Sequence, residues 1–263
     1  MNLDIYTTEM KKSIWDKAFF MDKIMGTKTL VDFGCADGAM IRMLAEMFPE
    51  MNFIGYDINK DLIEIAKAKA TTDNVSFYNG DQLAQLLRDV RDNCDPDELC
   101  LNFSSVLHEV FSSTGGLNVI RGMIDNWNPK YITVRDMYFN VDSYLELDHE
   151  TFIKVWENTD HEKYKEFEQK FGDIRGWKNV IHFLMKYQWK DNGWDDELKE
   201  DYFSLNLSDF QSFINLFVHD EDKYRTTFKA YYQLPYLTQL WKNLFFHPEI
   251  HTHTQQIFVR TKA

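Results

Sequence analysis

The chain has 263 residues, of which 44% are hydrophobic and 27% are charged, and its formal net charge is −13. This length accommodates one large α/β domain or a core domain with an insertion, and the hydrophobic fraction is sufficient for a buried core. The negative charge disfavours long-range attraction to nucleic acid, because binding to a polyanion relies on clustered Lys and Arg.

Composition also bears on the cellular compartment. No segment has the roughly 18 uninterrupted apolar residues that span a bilayer, and the first residues lack the basic-then-apolar order of a signal peptide. The three cysteines, Cys35, Cys94 and Cys100, have neither the pairing nor the spacing of a disulfide framework or a zinc site. We therefore expect a cytoplasmic protein with structural cysteines and no membrane association.

Short β-branched runs alternate with helical periodicities from about residue 28 to residue 140. This pattern predicts βα units and a mostly parallel sheet with right-handed crossovers. The predicted strands are 29–33, 52–56, 75–78, 99–103 and 131–135.

After residue 140 the chain is rich in aromatic and charged residues and carries helical periodicity. Two apolar stripes predict helices, one at 210–217 behind a candidate cap at Ser208 and one at 237–244 behind Pro235. Residues 254–261 alternate apolar and polar side chains, which predicts a final antiparallel edge strand. The predicted organisation is an N-terminal helical cap at 1–27, a core at 28–140 and 248–263, and a helical insertion at 141–247.

The strongest motif is VDFGCADG at residues 31–38, a strand that runs directly into a small-residue turn and then a helix. Glycine there allows the backbone to pass close to a ligand. The second strand ends in Asp57, a carboxylate placed to accept hydrogen bonds from both ribose hydroxyls of an adenosine. The third strand ends in NGD at 79–81, which adds another acid. Three elements in this order are far more specific than one.

With these elements the sequence resembles the class I S-adenosylmethionine-dependent methyltransferases, over roughly residues 28–140 and the last strand. The resemblance implies an α/β Rossmann-like sheet, mostly parallel with an antiparallel last strand, and a helical insertion after the fifth strand. It also implies that the glycine turn wraps the methionine moiety, that Asp57 binds the ribose and that Asp81 meets the adenine. The implied cofactor-binding residues are Asp32, Gly34, Cys35, Ala36, Gly38, Asp57, Ile58, Gly80, Asp81, Gln82 and Ser104.

One departure from the family pattern is Ala36, which stands where a middle glycine is frequent and leaves less room beside the cofactor. A nicotinamide-binding protein is disfavoured, because its G-x-G-x-x-G motif would require glycine at Ala36 and Ala39. The D/N-P-P-Y/F/W motif of amino-methylating DNA enzymes is also absent, with NFSS at 102–105 in its place. Nucleic-acid acceptors are therefore disfavoured.

The segment after the fourth strand carries the candidate catalytic residues His108 and Glu109. Ligands of open α/β sheets bind outside the carboxyl ends of the strands, and an imidazole beside a carboxylate can take a proton from an oxygen or nitrogen nucleophile. The alternative is that this segment only caps the next helix and lines the cofactor pocket. Arg135 and Asp136, after the fifth strand, either touch the substrate or form an internal ion pair.

Two further features have structural explanations. His251 and His253 are spaced to share one strand face, but no neighbouring Cys or acid completes a set, so we interpret them as surface histidines and predict no metal. A run of aromatic residues either stacks an acceptor or, as is more usual at helical spacing, forms a core. The run comprises Trp177, Phe183, Tyr187, Trp189, Trp194, Tyr202 and Phe203.

The sequence thus predicts methyl transfer from S-adenosylmethionine to an unidentified acceptor, with a small molecule favoured by charge. Methyl transfer from a sulfonium requires mainly alignment and exclusion of water. We expect residues 1–25 and 141–247 to roof the pocket. Two alternatives remain open: a non-catalytic module that binds the donor, its product or a partner protein, and non-methyl adenosyl chemistry on the same fold. The sequence does not identify the oligomeric state or the pathway.

Overall fold

The first strand is made of five consecutive buried residues, as expected of a central parallel strand covered on both faces. The computed structural model describes residues 13–112, 115–139, 146–204, 223–235 and 251–261. Its strands form a seven-stranded sheet in the order β3-β2-β1-β4-β5-β7-β6. The strands are β1 Thr29–Phe33, β2 Asn52–Asp57, β3 Val75–Asn79, β4 Leu99–Ser104, β5 Tyr131–Met137, β6 Tyr224–Tyr232 and β7 His253–Arg260.

The first five strands are mutually parallel, and β7 pairs antiparallel with β5 and with β6. The predicted fold class is therefore confirmed. Four of the five predicted parallel strands continue one or two residues further than expected at their carboxyl ends. These added residues include Asp57, Asn79, Ser104 and Asp136. The extension places polar side chains at the edge of the sheet where ligands of this fold class bind.

The prediction that the last strand forms an edge of the sheet was wrong. The edge is β6, which the sequence placed inside a helical segment, and β7 lies between β5 and β6. Among the described residues β6 pairs on one side only; it carries a register irregularity between Thr226 and Phe228 and exposes several of its side chains. A half-exposed edge strand of this kind lacks the apolar run by which the central strands were predicted.

Helices cover both faces of the sheet. The helices of the described residues are α1 Ile14–Lys17, α2 Ala39–Met47, α3 Lys60–Ala68, α4 Leu83–Asn93, α5 Leu107–Ser112, α6 Gly116–Trp127, α7 His149–Glu157, α8 His161–Phe171, α9 Trp177–Tyr187 and α10 Trp194–Glu197. One core holds buried residues of α4 and α6, including Leu86 and Trp127, and the other holds residues of α2, including Ile41 and Leu44. None of the helices in the described part of the chain is both long and apolar enough to cross a membrane.

Residues 146–204 contribute a third hydrophobic core, built mainly from α7, α8 and α9. Most of the aromatic run belongs to it: Phe183, Trp194, Tyr202 and Phe203 are buried members, and Trp177 and Tyr187 pack against them. These side chains therefore support the core interpretation of the run. The predicted helices at 210–217 and 237–244 lie outside the described residues.

His253 is not a surface residue, which corrects the interpretation of the two histidines near the end of the chain. Its side chain on β7 is 1% exposed, and its Nδ1 lies 2.7 Å from the Thr252 hydroxyl. Burial and the positive charge of Arg135 hold the pKa of His253 well below its ordinary value. The imidazole is therefore neutral in the folded protein.

We expect this neutral histidine to make folding sensitive to acid. An unfolded histidine titrates near pH ~6.5, so stability that is complete above this pH is lost as the pH falls toward the depressed pKa of the folded state. Because His108, whose pKa is raised, has the opposite effect, the test is a comparison: as the pH falls from 7 to 5, the free energy of unfolding in urea should fall more steeply in the wild type than in His253→Gln. His251→Gln, at a partly exposed imidazole, is the matched control. Equal declines in all three proteins would contradict the prediction.

Candidate functional site

The turn after β1 is a series of left-handed residues. Gly34, Ala36 and Gly38 have φ values of +82°, +49° and +68°. The Gly34 and Cys35 N–H groups donate to the Tyr56 carbonyl, and the Ala36 N–H donates to Asp57 Oδ2 at 2.9 Å. Ala36 thus keeps the backbone conformation of a glycine, at a cost of roughly 1–2 kcal/mol. The turn is fixed by the end of β2, the strand that carries the predicted ribose acid.

Both glycines of the turn are also required by packing. A Cβ on Gly34 would lie 2.6 Å from Val106 Cγ2, and a Cβ on Gly38 would lie 2.4 Å from Phe77 Cε1. The segment after β4 therefore packs directly on the glycine turn, because Val106 belongs to it. The motif brings β1, β3 and β4 together at one end of the sheet.

Asp57 is arranged to present a carboxylate at the end of β2. Its Oδ2 accepts from Ala36 N–H and its Oδ1 accepts from Asn59 N–H at 2.8 Å. Partial burial raises its pKa, which these hydrogen bonds oppose. The next side chain, Ile58, is 81% exposed and leaves an apolar surface uncovered beside the acid. Each carboxylate oxygen keeps a second lone pair for a ligand hydroxyl.

The predicted adenine-side residues begin a 3₁₀ turn at Gly80–Gln82. Asn79 Oδ1 accepts from Asp81 N–H, and Gln82 Oε1 accepts from Asn79 N–H, so the two side chains form a capping box. Gly80 lies against the Ile58 carbonyl. The Asp81 side chain is exposed. The side-chain amide oxygen of Gln82, in contrast, accepts a hydrogen bond within the capping box.

A pocket opens between the glycine turn, β4 and the N-terminal segment. Its lining comprises Ile14, Lys17, Asp32, Gly34, Cys35, Ala36, Asp37, Ala39, Met40 and Ser104. Asp32 Oδ1 accepts from Asn102 Nδ2 at 2.7 Å, and burial raises the pKa of Asp32 to about 6. Ser104 Oγ is buried without a hydrogen-bond partner among the described residues. A buried hydroxyl in a pocket wall is suited to bind a polar ligand atom.

Lys17 lines the pocket, and the sequence did not indicate it. It lies in the short helix α1 and is 8% exposed in the pocket wall. Burial and Arg135 lower its pKa to about 8, while Asp32 opposes this shift. Asp16 next to it accepts from Arg135 Nε at 2.8 Å, from the Tyr232 hydroxyl at 2.8 Å and from Gln255. These contacts tie the N-terminal segment to β5, β6 and β7.

His108 is held by Asp136 across the ends of two neighbouring strands. Its Nδ1 lies 2.7 Å from Asp136 Oδ1, and both side chains are buried. Burial disfavours the imidazolium, but Asp136, together with Glu200 and Glu109, outweighs it, and the pKa of His108 is raised to about 10. Asp136 and Arg135 thus each have an internal ionic partner, and these partners are His108 and Asp16.

The predicted catalytic residue Glu109 lies beside His108, with Oε1 4.0 Å from His108 Nε2 and a half-exposed side chain. Burial of part of the group raises the pKa of Glu109 to about 7, although His108 opposes the shift. Residues 200–204 approach from the other side. Glu200 Oε2 lies 3.8 Å from His108 Nε2, the Tyr202 ring packs edge-on to the imidazole, and the Ser204 hydroxyl donates to the His108 carbonyl.

Comparison with known proteins assigns this architecture to a class. Residues 25–95 match a family model described as a methyltransferase domain. A crystal structure of an S-adenosylmethionine-dependent methyltransferase from Anabaena variabilis is 13% identical, with a TM-score of 0.51 over 98% of this chain and 94% of that one. The plantazolicin methyltransferase BamL, solved with a triazolic desmethylPZN analog and SAH, is 11% identical, with a TM-score of 0.55 over 99% and 88% of the two chains.

At these identities the structural likeness establishes the fold, and the family match establishes a methyltransferase domain in residues 25–95. The fold of the chain is that of the class I, Rossmann-like methyltransferases. The prediction of an S-adenosylmethionine-dependent methyltransferase is therefore confirmed for the fold and for the methyltransferase domain matched at residues 25–95.

Proposed function

We propose that the protein transfers a methyl group from S-adenosylmethionine to an acceptor bound beside His108 and Glu109, with a small molecule as the favoured class of acceptor. The observation that carries the proposal is a pocket lined by the glycine turn and by the Ser104 hydroxyl, which has no hydrogen-bond partner among the described residues. The Asp57 carboxylate adjoins this pocket, because it accepts from the N–H of the lining residue Ala36. BamL, a methyltransferase solved with SAH, supports the choice of cofactor.

The residues present are suited to this cofactor. Asp57 offers carboxylate lone pairs to the ribose, and the exposed Ile58 side chain offers an apolar face to the adenine. Asp32, Lys17 and Ser104 line the part of the pocket assigned to the methionine moiety. The remaining cofactor residues, Gly34, Cys35, Ala36, Gly38, Gly80, Asp81 and Gln82, form the turns that position these groups.

The cofactor supplies an already activated methyl group on a sulfonium, so the protein contributes alignment and exclusion of water. Val106 packs the segment after β4 on the glycine turn, which fixes His108 and Glu109 relative to the pocket. Tyr202 and Ser204 contact His108, and Asp16 anchors the N-terminal segment through Arg135. These contacts support a roof over the site made by described residues of the N-terminal segment and of the insertion, at 13–25 and 146–204.

A small acceptor is favoured by the net charge of −13 and by the carboxylates beside His108. A negatively charged rim repels a polyanion and attracts cationic substrates. Conversion of labelled donor in a cell extract tests the activity, because a protein that only binds the donor leaves the methyl group on sulfur. The nucleoside product then separates methyl transfer from other adenosyl chemistry.

We expect Asp57→Ala to weaken binding of S-adenosylhomocysteine about tenfold, or about 1.4 kcal/mol, because the ribose loses its hydrogen-bond acceptor. Calorimetric titration of the purified chain measures this. Asp61→Ala removes an exposed carboxylate from the first turn of α3, the next helix, and is the matched control. Absence of binding by the wild type would overturn the proposed function, and equal affinity in Asp57→Ala would remove Asp57 from the site.

A further inference from the structure

One imidazole and two carboxylates converge where β4 leads into α5. His108 Nε2 lies 4.0 Å from Glu109 Oε1 and 3.8 Å from Glu200 Oε2, and one ligand atom from each of the three residues lies within 4.8 Å of the others. Two ligand atoms bound to one ion at about 2.1 Å each are separated by no more than about 4.2 Å. Both separations from the imidazole already meet this limit. A small movement of one glutamate brings the remaining pair of ligand atoms, those of Glu109 and Glu200, within it.

The imidazole is oriented as a metal-binding histidine is. Its Nδ1 is engaged by Asp136 Oδ1 at 2.7 Å, which directs Nε2 toward the two glutamates. Asp136 is itself fixed, because it accepts hydrogen bonds from the Val106, Leu107 and Met137 N–H groups. A carboxylate behind the histidine is the usual outer partner of a metal-ligating imidazole, since it fixes the orientation of the ring.

A second observation comes from Glu197 on α10. Its side chain is 4% exposed, and its Oε2 has no hydrogen-bond partner among the described residues. It lies within electrostatic range of His108, Glu109 and Glu200. A buried carboxylate oxygen without a partner is costly unless a cation compensates it.

The Lys186 ammonium group, which interacts with Glu197, is directed away from the free carboxylate oxygen. Lys186 Nζ donates to the Glu197 backbone carbonyl at 2.5 Å and lies 3.5 Å from the centre of the Tyr202 ring. Four acidic side chains, those of Asp136, Glu109, Glu197 and Glu200, surround two basic ones, His108 and Lys186. Acidic groups thus outnumber basic groups at the point where the ligand atoms converge.

We propose that His108, Glu109 and Glu200 bind a divalent first-row transition-metal cation, with Glu197 as a neighbouring carboxylate. A set of one imidazole and two carboxylates suits such an ion, because imidazole favours transition metals and carboxylates favour Mn²⁺ and harder ions. Glu109 and Glu200 are partly exposed, so the side of the ion facing solvent is accessible to an oxygen of the acceptor. A role of the ion in binding the acceptor rests on the proposed methyl transfer, whereas the binding of the ion to the protein does not.

The test is a titration of the chelator-treated full chain with Mn²⁺, followed by the loss of the free-ion electron paramagnetic resonance signal, without any methyl donor. We expect one ion per chain. Glu109→Gln and Glu200→Gln should each weaken binding about tenfold or more, or at least about 1.4 kcal/mol. Glu157→Gln, at an exposed glutamate that ends α7, should bind as the wild type does. Both test positions are partly exposed, and circular dichroism verifies that each variant is folded.

A chain that binds no Mn²⁺ up to about 1 mM would overturn the proposal and would indicate that a protonated His108 alone bridges the glutamates. Binding that is equally tight in Glu109→Gln and Glu200→Gln would also overturn it. Titration of the same preparation with S-adenosylhomocysteine keeps the two proposals distinct. A chain that binds Mn²⁺ but not S-adenosylhomocysteine retains the metal site and loses the proposed function.

Discussion

Asp136→Asn should lower the free energy of unfolding by about 3–5 kcal/mol, as expected when one partner of a buried ionic pair is removed. The Asp136 side chain is fully buried, and its oxygens accept from the Val106, Leu107 and Met137 N–H groups and contact His108 Nδ1. Although burial opposes ionisation, His108 and these N–H groups hold the pKa of the Asp136 carboxyl below its ordinary value. An asparagine provides only one acceptor oxygen, and its NH₂ group would face a group that now donates to Asp136, so that at least one of these hydrogen bonds is lost.

Chemical denaturation at neutral pH measures this loss. Asp160→Asn is the matched control, because Asp160 is an exposed N-cap whose carboxylate accepts from Glu162 N–H. Asparagine caps helices about as well as aspartate, so this variant should change stability by less than about 0.5 kcal/mol. A loss below about 1 kcal/mol in Asp136→Asn would show that the buried network does not depend on the charge.

The second large effect is expected for Gly38→Ala, which should cost roughly 2–5 kcal/mol of folding stability without any cofactor present. Gly38 has a φ of +68°, and a Cβ there would lie 2.4 Å from the Phe77 ring. Phe77 belongs to a buried core cluster together with Ile41 and Ala66, so it cannot move without disturbing them.

Substitutions at two other glycines separate the conformational cost of Gly38→Ala from its packing cost. Gly115 has a φ of +89° but open space where a Cβ would be, so Gly115→Ala should show the conformational cost alone, about 1–2 kcal/mol. Gly122 lies inside α6 with open space and no positive φ, and Gly122→Ala should stabilise the protein by up to about 1 kcal/mol. A Gly38→Ala variant no less stable than Gly115→Ala would refute the packing contribution.

Site residues that lie close together in the sequence were predicted, whereas contacts between residues far apart in the sequence were not. The turn at residues 31–38 and the acid Asp57 were identified because each lies directly at the end of an apolar run. The partner of His108 was not identified. Asp136 is 28 residues away, and it reaches the histidine because β4 and β5 pair in parallel with Ser104 opposite Arg135. That register is set by the packing of the whole sheet.

Sequence patterns also did not predict which residues from distant segments lie beside the site. Lys17 and Asp16 come from a four-residue helix. Glu197 is the last residue of α10, and Glu200 lies in the segment that follows it. Single charged residues in such segments carry no periodic or motif signal, because exposed charges are the usual state of Lys, Asp and Glu. Their burial beside the site depends on contacts with β5, β7 and α5.

The sequence by itself determined the class of fold, the five parallel strands and the glycine turn after β1, because these depend on local apolar periodicity and on short contiguous motifs. Only the tertiary structure decided that β6 forms the edge, that His253 is buried, and that His108 meets Asp136 and Glu200. Those features depend on strand register and on burial among residues far apart in the chain. Neither is encoded within a short window of residues.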